Sequence, residues 1–412
     1  MDHDVIIVGG GASGLLLSIL LKKMNVDVCV IERNERVGIK ILSTGNGRCN
    51  IGNLNISKEN FHSMNEEFVE ELLNKYPIEL VIDIFEILGL HMINESDGKL
   101  FPLSYQASSV IDIFRINLEE LNIPVYTGEK IIEVYLKNGT YTLKSTSSKI
   151  YNCNKLVLAT GGNSAPKTGS DGIGYRLAKS LNHTIIKTYP ALVQLKLKSD
   201  LLKALSGIKF EGIVKLIVND EIVKITSGEI LYTDYGISGI PILNLSSIAV
   251  RSMESGKEVY ISINHFPNMD KETLEIFLEN HFNMFKDRSI FNSFIGIINK
   301  KLIPILIKSS GIINVNTKVR DLSSDQKSNL INKINSWKFE VIDSTGFGSS
   351  QVTSGGVNTL EIDSSTLESK INKNLYFTGE IMDVDGDCGG YNLYFAWISA
   401  ICVRDSILEA SD

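Results

Sequence analysis

The chain opens on an apolar run with no alternation, Val5-Ile6-Ile7-Val8. Such a run predicts a strand buried on both faces, as in a parallel sheet. Leu15 to Met24 is apolar over a helix length and closes on Lys22-Lys23, with Asn25 placed to end it. Cations at a helix C-terminus and Asn just beyond it agree with that reading. Asp27 to Ile31 predicts a second strand, and Glu32 stands at its end. Glu66 to Leu88 reads as one or two amphipathic helices broken near Tyr76-Pro77, and Ala107 to Leu121 as a helix. A strand is expected over Ile123 to Tyr126. Lys130 to Leu136 and Thr140 to Lys144 flank Asn138-Gly139, a hairpin signal. Leu156 to Gly162 predicts another buried strand ending in glycines, and the Gly169–Tyr175 stretch opens a helix. From about Pro190 the pattern changes to short strands at Val193–Leu197, Ile213–Val218, Ile222–Thr226 and Glu229–Tyr232. These predict a small barrel or sheet. Asp270 to Ile307 reads as mostly helical, Trp337 to Ile342 as a returning strand, and Cys388 to Val403 as a buried helix.

Between the first strand and the first helix lies Gly9-x-Gly11-x-x-Gly14. Strand, glycine turn, helix, strand and acid within about thirty residues form a dinucleotide-binding fingerprint. Gly9 permits the tight turn, Gly11 lets backbone approach a pyrophosphate, and Gly14 lets helix and strand pack closely. Ala12 and Ser13 begin the helix, whose N-terminus offers unpaired N–H groups and partial positive charge to that pyrophosphate. Glu32, with Arg33 beside it, stands where a carboxylate accepts hydrogen bonds from the ribose hydroxyls of an adenosine. The fingerprint does not separate FAD from NAD. The following loop favours FAD: Lys40, Thr44, Gly45, Gly47, Arg48, Cys49 and Asn50 bring open backbone N–H groups and cations, suited to a diphosphate or an anionic flavin. Only one clear G-x-G-x-x-G is present, so no second Rossmann domain for a nicotinamide is expected.

Composition narrows the class. With 412 residues, 43% apolar and 22% charged, the chain is long enough for about 2–3 domains and needs no disulfide or metal staple. The formal net charge is −7, which argues against a nucleic-acid partner, because phosphates call for a cationic face. The five cysteines (Cys29, Cys49, Cys153, Cys388, Cys402) are far apart and form no C-x-x-C. A reduced, cytoplasmic setting is the natural expectation. Val5 to Leu21 carries no charge, but Asp2 and Asp4 precede it where a signal peptide wants basic residues. No membrane segment and no metal site are expected.

The motifs resemble a known family. Gly38-x-Lys40 with Thr44-Gly45-x-Gly47-Arg48-Cys49-Asn50 is similar to the N-terminal signature of the aminoacetone-oxidase and dehydro-bile-acid-reductase-like flavoproteins. These lie within the superfamily of two-dinucleotide-binding-domain, FAD-dependent oxidoreductases. Many members carry Thr where Gly52 stands, Arg where Lys99 stands, and His where Asp234 stands. The C-terminal part resembles the family most, through Thr378-Gly379-Glu380 and Asp385-Gly386-x-Cys388-Gly389-Gly390-Tyr391-Asn392-Leu393. The resemblance implies a second set of FAD contacts. Ile131 would abut the adenine, and Ala159, Thr160 and Gly161 would close over the dinucleotide. Gly379, Glu380 and Asp385 would approach the ribityl and pyrophosphate, and Gly390, Tyr391, Asn392 and Leu393 would bring a helix N-terminus to the flavin.

The fold class expected is α/β: a Rossmann-like FAD-binding domain with an inserted β-barrel-like and helical domain. The FAD-binding part would be discontinuous, 1–189 and 344–412. The insert, 190–343, would be β-rich over 190–265 and 312–343 and helical over 266–311. The expected function is an FAD-dependent oxidoreductase with non-covalent FAD, passing a hydride between a small organic substrate and the flavin. NAD(P)H would serve as a transient electron donor. Three alternatives remain: an amine oxidase using oxygen, a flavin-binding sensor without turnover, and a tRNA-modifying flavoprotein, the last disfavoured by the acidic total. Tyr391, Arg48 and Asp234 are candidates for an acid or base, and no catalytic residue is assigned. Substrate and oligomeric state are not readable from the sequence.

Overall fold

The computed structural model describes residues 2–95 and 97–410. Contacts divide the chain into two compact units, Met1–Pro190 with Ser350–Asp412, and Ala191–Ser349.

In chain order, the first unit begins with β1 (Asp2–Val8), α1 (Ala12–Lys23) and β2 (Val28–Ile31). Asn25, at φ 62°, takes the left-handed turn that ends α1. The expected loop after Glu32 contains 3-10 turns within Ile39–Gly47, broken at Thr44, Gly45 and Asn46, whose backbone is not helical. A short strand, β3 (Phe61–His62), precedes α2 (Glu66–Lys75) and α3 (Ile78–Ile87), which break at Tyr76-Pro77 because Pro77 cannot continue a helix. Then come α4 (Ala107–Glu120), β4 (Val125–Tyr126), the meander β5 (Ile131–Lys137) and β6 (Thr140–Ser145), and β7 (Ile150–Leu158).

The second unit is a closed barrel of six strands, β8 (Leu195–Lys198), β9 (Lys209–Val218), β10 (Glu221–Tyr232), β11 (Gly236–Ser238), β12 (Val259–Asn264) and β13 (Trp337–Ser344). Alternation places Val214, Leu216, Ile261, Ile263, Phe339 and Val341 inside. The two strands expected over 222–232 are one, β10, which passes through Gly228 without interruption. Two helices fall within the spans expected to be β-rich, 190–265 and 312–343. Ile240–Glu254 starts on Pro241, a residue that suits a first helical turn. Ser324–Asn335 starts on a capping box in which Ser323 and Gln326 satisfy each other's backbone N–H.

Back in the first unit, the chain adds β14 (Leu375–Phe377), β15 (Asp385–Gly386) and the helix Tyr391–Glu409. That helix is apolar on nearly every face and correspondingly buried. The main sheet runs β4-β2-β1-β7, and β7 then pairs with two partners along its length. Its first half meets the antiparallel meander, and its last three residues pair parallel with β14. Val8 is in register with Ile31 and with Leu158, and Leu158 with Phe377. The carboxyl ends of four strands therefore finish at one edge, which is where ligands bind in open α/β sheets.

Candidate functional site

The four strand ends bring together segments far apart in sequence: Gly9–Gly11, Glu32, Ala159–Gly161 and Gly379-Glu380. The glycines of the first turn serve different ends. A Cβ at Gly9, whose φ is 115°, would lie 2.3 Å from the Ala159 carbonyl oxygen. One at Gly14 would lie 2.1 Å from the Gly9 carbonyl oxygen. Both are excluded by the protein's own backbone. Gly11 has no heavy atom within 4 Å of its Cβ position. It precedes α1, which has no capping side chain and no acid in its first turn, so the first N–H groups of the helix are left for a ligand. Glu32 is buried, and its carboxylate accepts the Gly10 and Asn34 N–H groups at 2.8 Å each. A carboxylate has about four lone-pair sites, so acceptor capacity remains.

One cavity joins these parts. It is lined by Gly9, Gly11, Ala12, Ser13, Glu32, Arg33, Lys40, Thr44 and Ile131, and also by Ala159, Thr160, Gly161, Gly379, Glu380, Asn392 and Leu393. Gly10, Asn34, Gly169, Ser170 and Gln351 line it as well. Sequence reasoning assigned none of these to the site, and only the Gly169-Ser170 turn carried a signal. Lys40 donates to Glu380 at 2.6 Å, and the other Glu380 oxygen accepts the Thr353 N–H at 2.9 Å. Arg33 and Lys130 share the Asp171 carboxylate, so cations at this end are partly neutralised.

Nine residues assigned to the cofactor lie outside this cavity. Gly14 sits beneath Gly9. Gly45, at φ 55°, turns back onto the Asn50 N–H, and Gly47, at φ 84°, shapes the same turn. Arg48 pairs with Glu95 at 2.9 Å and lies 4.3 Å over the Phe101 ring. Cys49 is buried, and burial pushes its thiol up to about 11. Asn50 lies beside Gly390, where a Cβ would also strike the Gly52 carbonyl oxygen at 2.6 Å. Asp385 belongs to β15, and Tyr391 packs edge-on against Phe61 and donates to the Asn55 carbonyl at 3.4 Å. Asp234 is exposed on the turn between β10 and β11. The physical reason is common to most of these: the loop 45–50 and the start of the last helix hold each other in place.

Glu129 lines the cavity near Ile131 and accepts from Lys149 and Ser147. These bonds, the Lys149 ammonium first, lower its pKa to about 2. A depressed carboxylate stabilises the fold above its unfolded value near ~4.3, and the stabilisation is lost as pH falls through the folded value. The urea midpoint of the wild type should therefore fall more steeply from about pH 4 to about pH 2 than that of Glu129→Gln. Parallel midpoint curves would refute this coupling.

Residues 3–405 match the family described as HI0933-like protein, Rossmann domain. The chain belongs to the HI0933-like family. It is an FAD-dependent oxidoreductase. The chain is 33% identical to the 3-dehydro-bile acid delta(4,6)-reductase of Clostridium scindens, over 95% of each chain. It is 31% identical to the ribosomal RNA dihydrouridine synthase of Escherichia coli, over 99% of each. Among solved structures, the 3-ketosteroid delta1-dehydrogenase of Sterolibacterium denitrificans shares the fold, with a TM-score of 0.53 and 11% identity over 99% of this chain and 100% of that one.

The cavity of this HI0933-like flavoprotein fits FAD. The space at Gly11 admits a pyrophosphate, the uncapped start of α1 supplies donors to it, and Glu32 keeps acceptor capacity for a ribose. Among the described residues no helix is long and apolar enough to cross a membrane, and no cluster of His, Cys, Asp or Glu is arranged to hold a metal ion.

Proposed function

We propose that the protein is a cytoplasmic reductase of carbon–carbon double bonds conjugated with a carbonyl group. It would hold FAD non-covalently and draw electrons from NAD(P)H that docks transiently. The observation carrying the cofactor assignment is the single cavity that runs from Glu32 past the open Gly11 to Asn392. None of the residues lining it is Cys, His or Tyr, which supports a flavin without a covalent link. The names of the Clostridium scindens and Escherichia coli relatives both describe saturation of a ring double bond. In a 3-oxo-4,6-diene and in uracil that bond is conjugated with a carbonyl.

Bound FAD would supply a hydride. The chain's residues do the holding. Glu32 would take the adenosine ribose hydroxyls. The first N–H groups of α1, with Gly9, Gly11, Ala12 and Ser13, would take the pyrophosphate. Lys40, Glu380, Asn392 and Leu393 would form the opposite end. Saturation adds the hydride to one carbon and a proton to its neighbour, and NAD(P)H is oxidised.

A second reading, in which the double bond belongs to a uridine of RNA, is favoured by the charge of the barrel unit. Lys286, Arg288, Lys318 and Arg320 are exposed on two stretches joined by backbone bonds from Arg320 to Lys286 and from Val319 to Arg288. The net charge of −7 is thus unevenly spread, although Asp287 pairs with Arg320 at 2.6 Å.

The test is anaerobic turnover with NADPH or NADH and two probes, a 3-oxo-4,6-diene bile acid and a uridine-containing ribosomal RNA fragment. Consumption of either double bond is expected. Oxygen-dependent oxidation of a primary amine with neither probe consumed would replace this reading by an oxidase.

A further inference from the structure

Between Gly162 and the helix Ile173–Ser180 the chain forms no strand, only a 3-10 turn at Pro166–Thr168. Thr168, Gly169 and Ser170 line the cavity, while Pro166 and Lys167 are exposed. The segment is therefore a strap with one side on the cavity and one in water. Its base is tied within itself and to a neighbouring segment. The Asn163 and Ser164 N–H groups donate to the Thr353 hydroxyl at 2.8 and 3.0 Å. The Ser170 hydroxyl and the Gly172 N–H both donate to the Gly162 carbonyl, at 2.8 and 3.1 Å. Left-handed residues at Ala165, Gly169 and Gly172 allow the chain to turn back in this way.

The other side of the strap is tied by side chains from two segments that also line the cavity. Asn34 donates to the Thr168 carbonyl at 3.0 Å, and Arg33 to the Gly169 carbonyl at 3.3 Å. A Cβ at Gly169 would lie 2.3 Å from the Asn34 amide nitrogen, so the close approach needs glycine there. One oxygen of the Asp171 carboxylate binds Arg33 and, at 2.7 Å, Lys130. The other accepts the Ile173 N–H at 3.3 Å. Burial would raise the Asp171 carboxyl, but the bonds from Lys130 and Arg33 hold it below its ordinary value. Arg33 follows Glu32, and Lys130 precedes Ile131. The strap is thus fastened at the end of the cavity that Glu32 marks for the adenosine.

We propose that Asp171 is the latch of a strap closing over the adenosine end of the cavity, a positioning residue that makes the protein select FAD over flavins without adenosine. The inference rests on the assignment of this cavity to FAD. Asp171 does not line the cavity and acts through Arg33 and Lys130, which do. FMN has no adenosine to reach the strap, so closing it adds nothing to FMN binding. The adenosine of FAD lies beneath the strap, so closing it slows release.

Charge alone predicts the opposite effect. FAD carries an anionic diphosphate, and Asp171 neutralises cations at the site. Removing its charge leaves Arg33 and Lys130 free to attract the diphosphate, which by Coulomb's law would hold FAD more tightly. A latch predicts faster release in spite of that gain. The sign of the change separates the two.

The test uses full-length protein stripped of flavin and reloaded with FAD. Asp171→Asn keeps an oxygen for the Ile173 N–H and loses the charge, so the urea midpoint of the FAD-free protein should not move. FAD release after dilution, followed as FAD in the ultrafiltrate, should be about tenfold faster than in wild type, the size expected for two partly exposed ion pairs. The affinity of FAD-free protein for FMN should be unchanged. Lys130→Met should also speed release, and adding it to Asp171→Asn should give no further increase, because the pair is already broken. Release from Asp171→Asn that is slower than wild type or within about twofold of it, an equal loss of FMN and FAD affinity, or additive effects in the double variant overturns the latch and leaves the FAD assignment standing. Wild-type protein that takes up no FAD overturns that assignment and this inference with it.

Discussion

Gly11→Val should give a folded, colourless protein. The position faces open space in the protein alone, with no atom within 4 Å of a Cβ, so the new side chain meets only the volume the pyrophosphate needs. FAD released by acid precipitation should fall below about a hundredth of the wild-type amount. Unfolding of the FAD-free protein should shift by no more than about 1 kcal/mol, the range for a substitution that creates no clash. The FAD-loaded wild type should stand higher, because ligand at a hundred times its dissociation constant adds about 2.7 kcal/mol. Gly14→Ala provides the contrast. Its Cβ would fall 2.1 Å from the Gly9 carbonyl oxygen, so it should destabilise the FAD-free protein itself by about 1–3 kcal/mol. Absorbance at the flavin maximum and thermal unfolding of the apo-protein separate the two defects. Normal FAD content in Gly11→Val would refute the assignment of the first turn.

The second large effect is expected at Trp397→Ala. Trp397 is fully buried in the last helix, 5.0 Å edge-on from Phe85 and 5.9 Å from Phe114. Its Nε1–H donates to the Ile51 carbonyl at 2.9 Å. The substitution removes a large apolar surface, leaves a void and orphans a carbonyl. Loss of about 3–5 kcal/mol in urea unfolding is expected, with Trp397→Phe much milder. FAD affinity should fall with it, since Asn392 and Leu393 begin the same helix and line the cavity. A loss under about 1 kcal/mol would mean the helix is not held by this contact.

How much of this was legible beforehand differs from element to element. Unalternated apolar runs at 5–8, 28–31 and 156–158 are strands because both faces are covered, and each is too short to stand as a helix of its own. The fingerprint from Gly9 to Glu32 was readable because each part acts locally: a turn, a helix start, an acid at a strand end. Alternation made a small barrel or sheet legible, but not its closure through β11 and β12, nor the two helices at 240–254 and 324–335. There the start signals, Pro241 and the Ser323–Gln326 box, are single residues easily outvoted by neighbouring apolar alternation.

Sequence alone determined the dinucleotide-binding class, because short-range spacing carries that chemistry, and the family through its resemblance. Tertiary structure decided which glycines face the cavity. Of the three fingerprint glycines, Gly9 and Gly14 answer to nearby backbone, and Gly11 alone leaves its Cβ position open. It also decided that Gly45, Arg48, Cys49 and Asn50, adjacent in sequence to Lys40 and Thr44, turn away from the cavity, because left-handed residues at Gly45, Asn46, Gly47 and Cys49 fold the loop back on itself. The pairing of His62 with Asp387 lies further still from any local signal. The two are 325 positions apart, and only the strand pair β3–β15, formed by segments from opposite ends of the first unit's sequence, brings them within hydrogen-bonding reach, which no local spacing records.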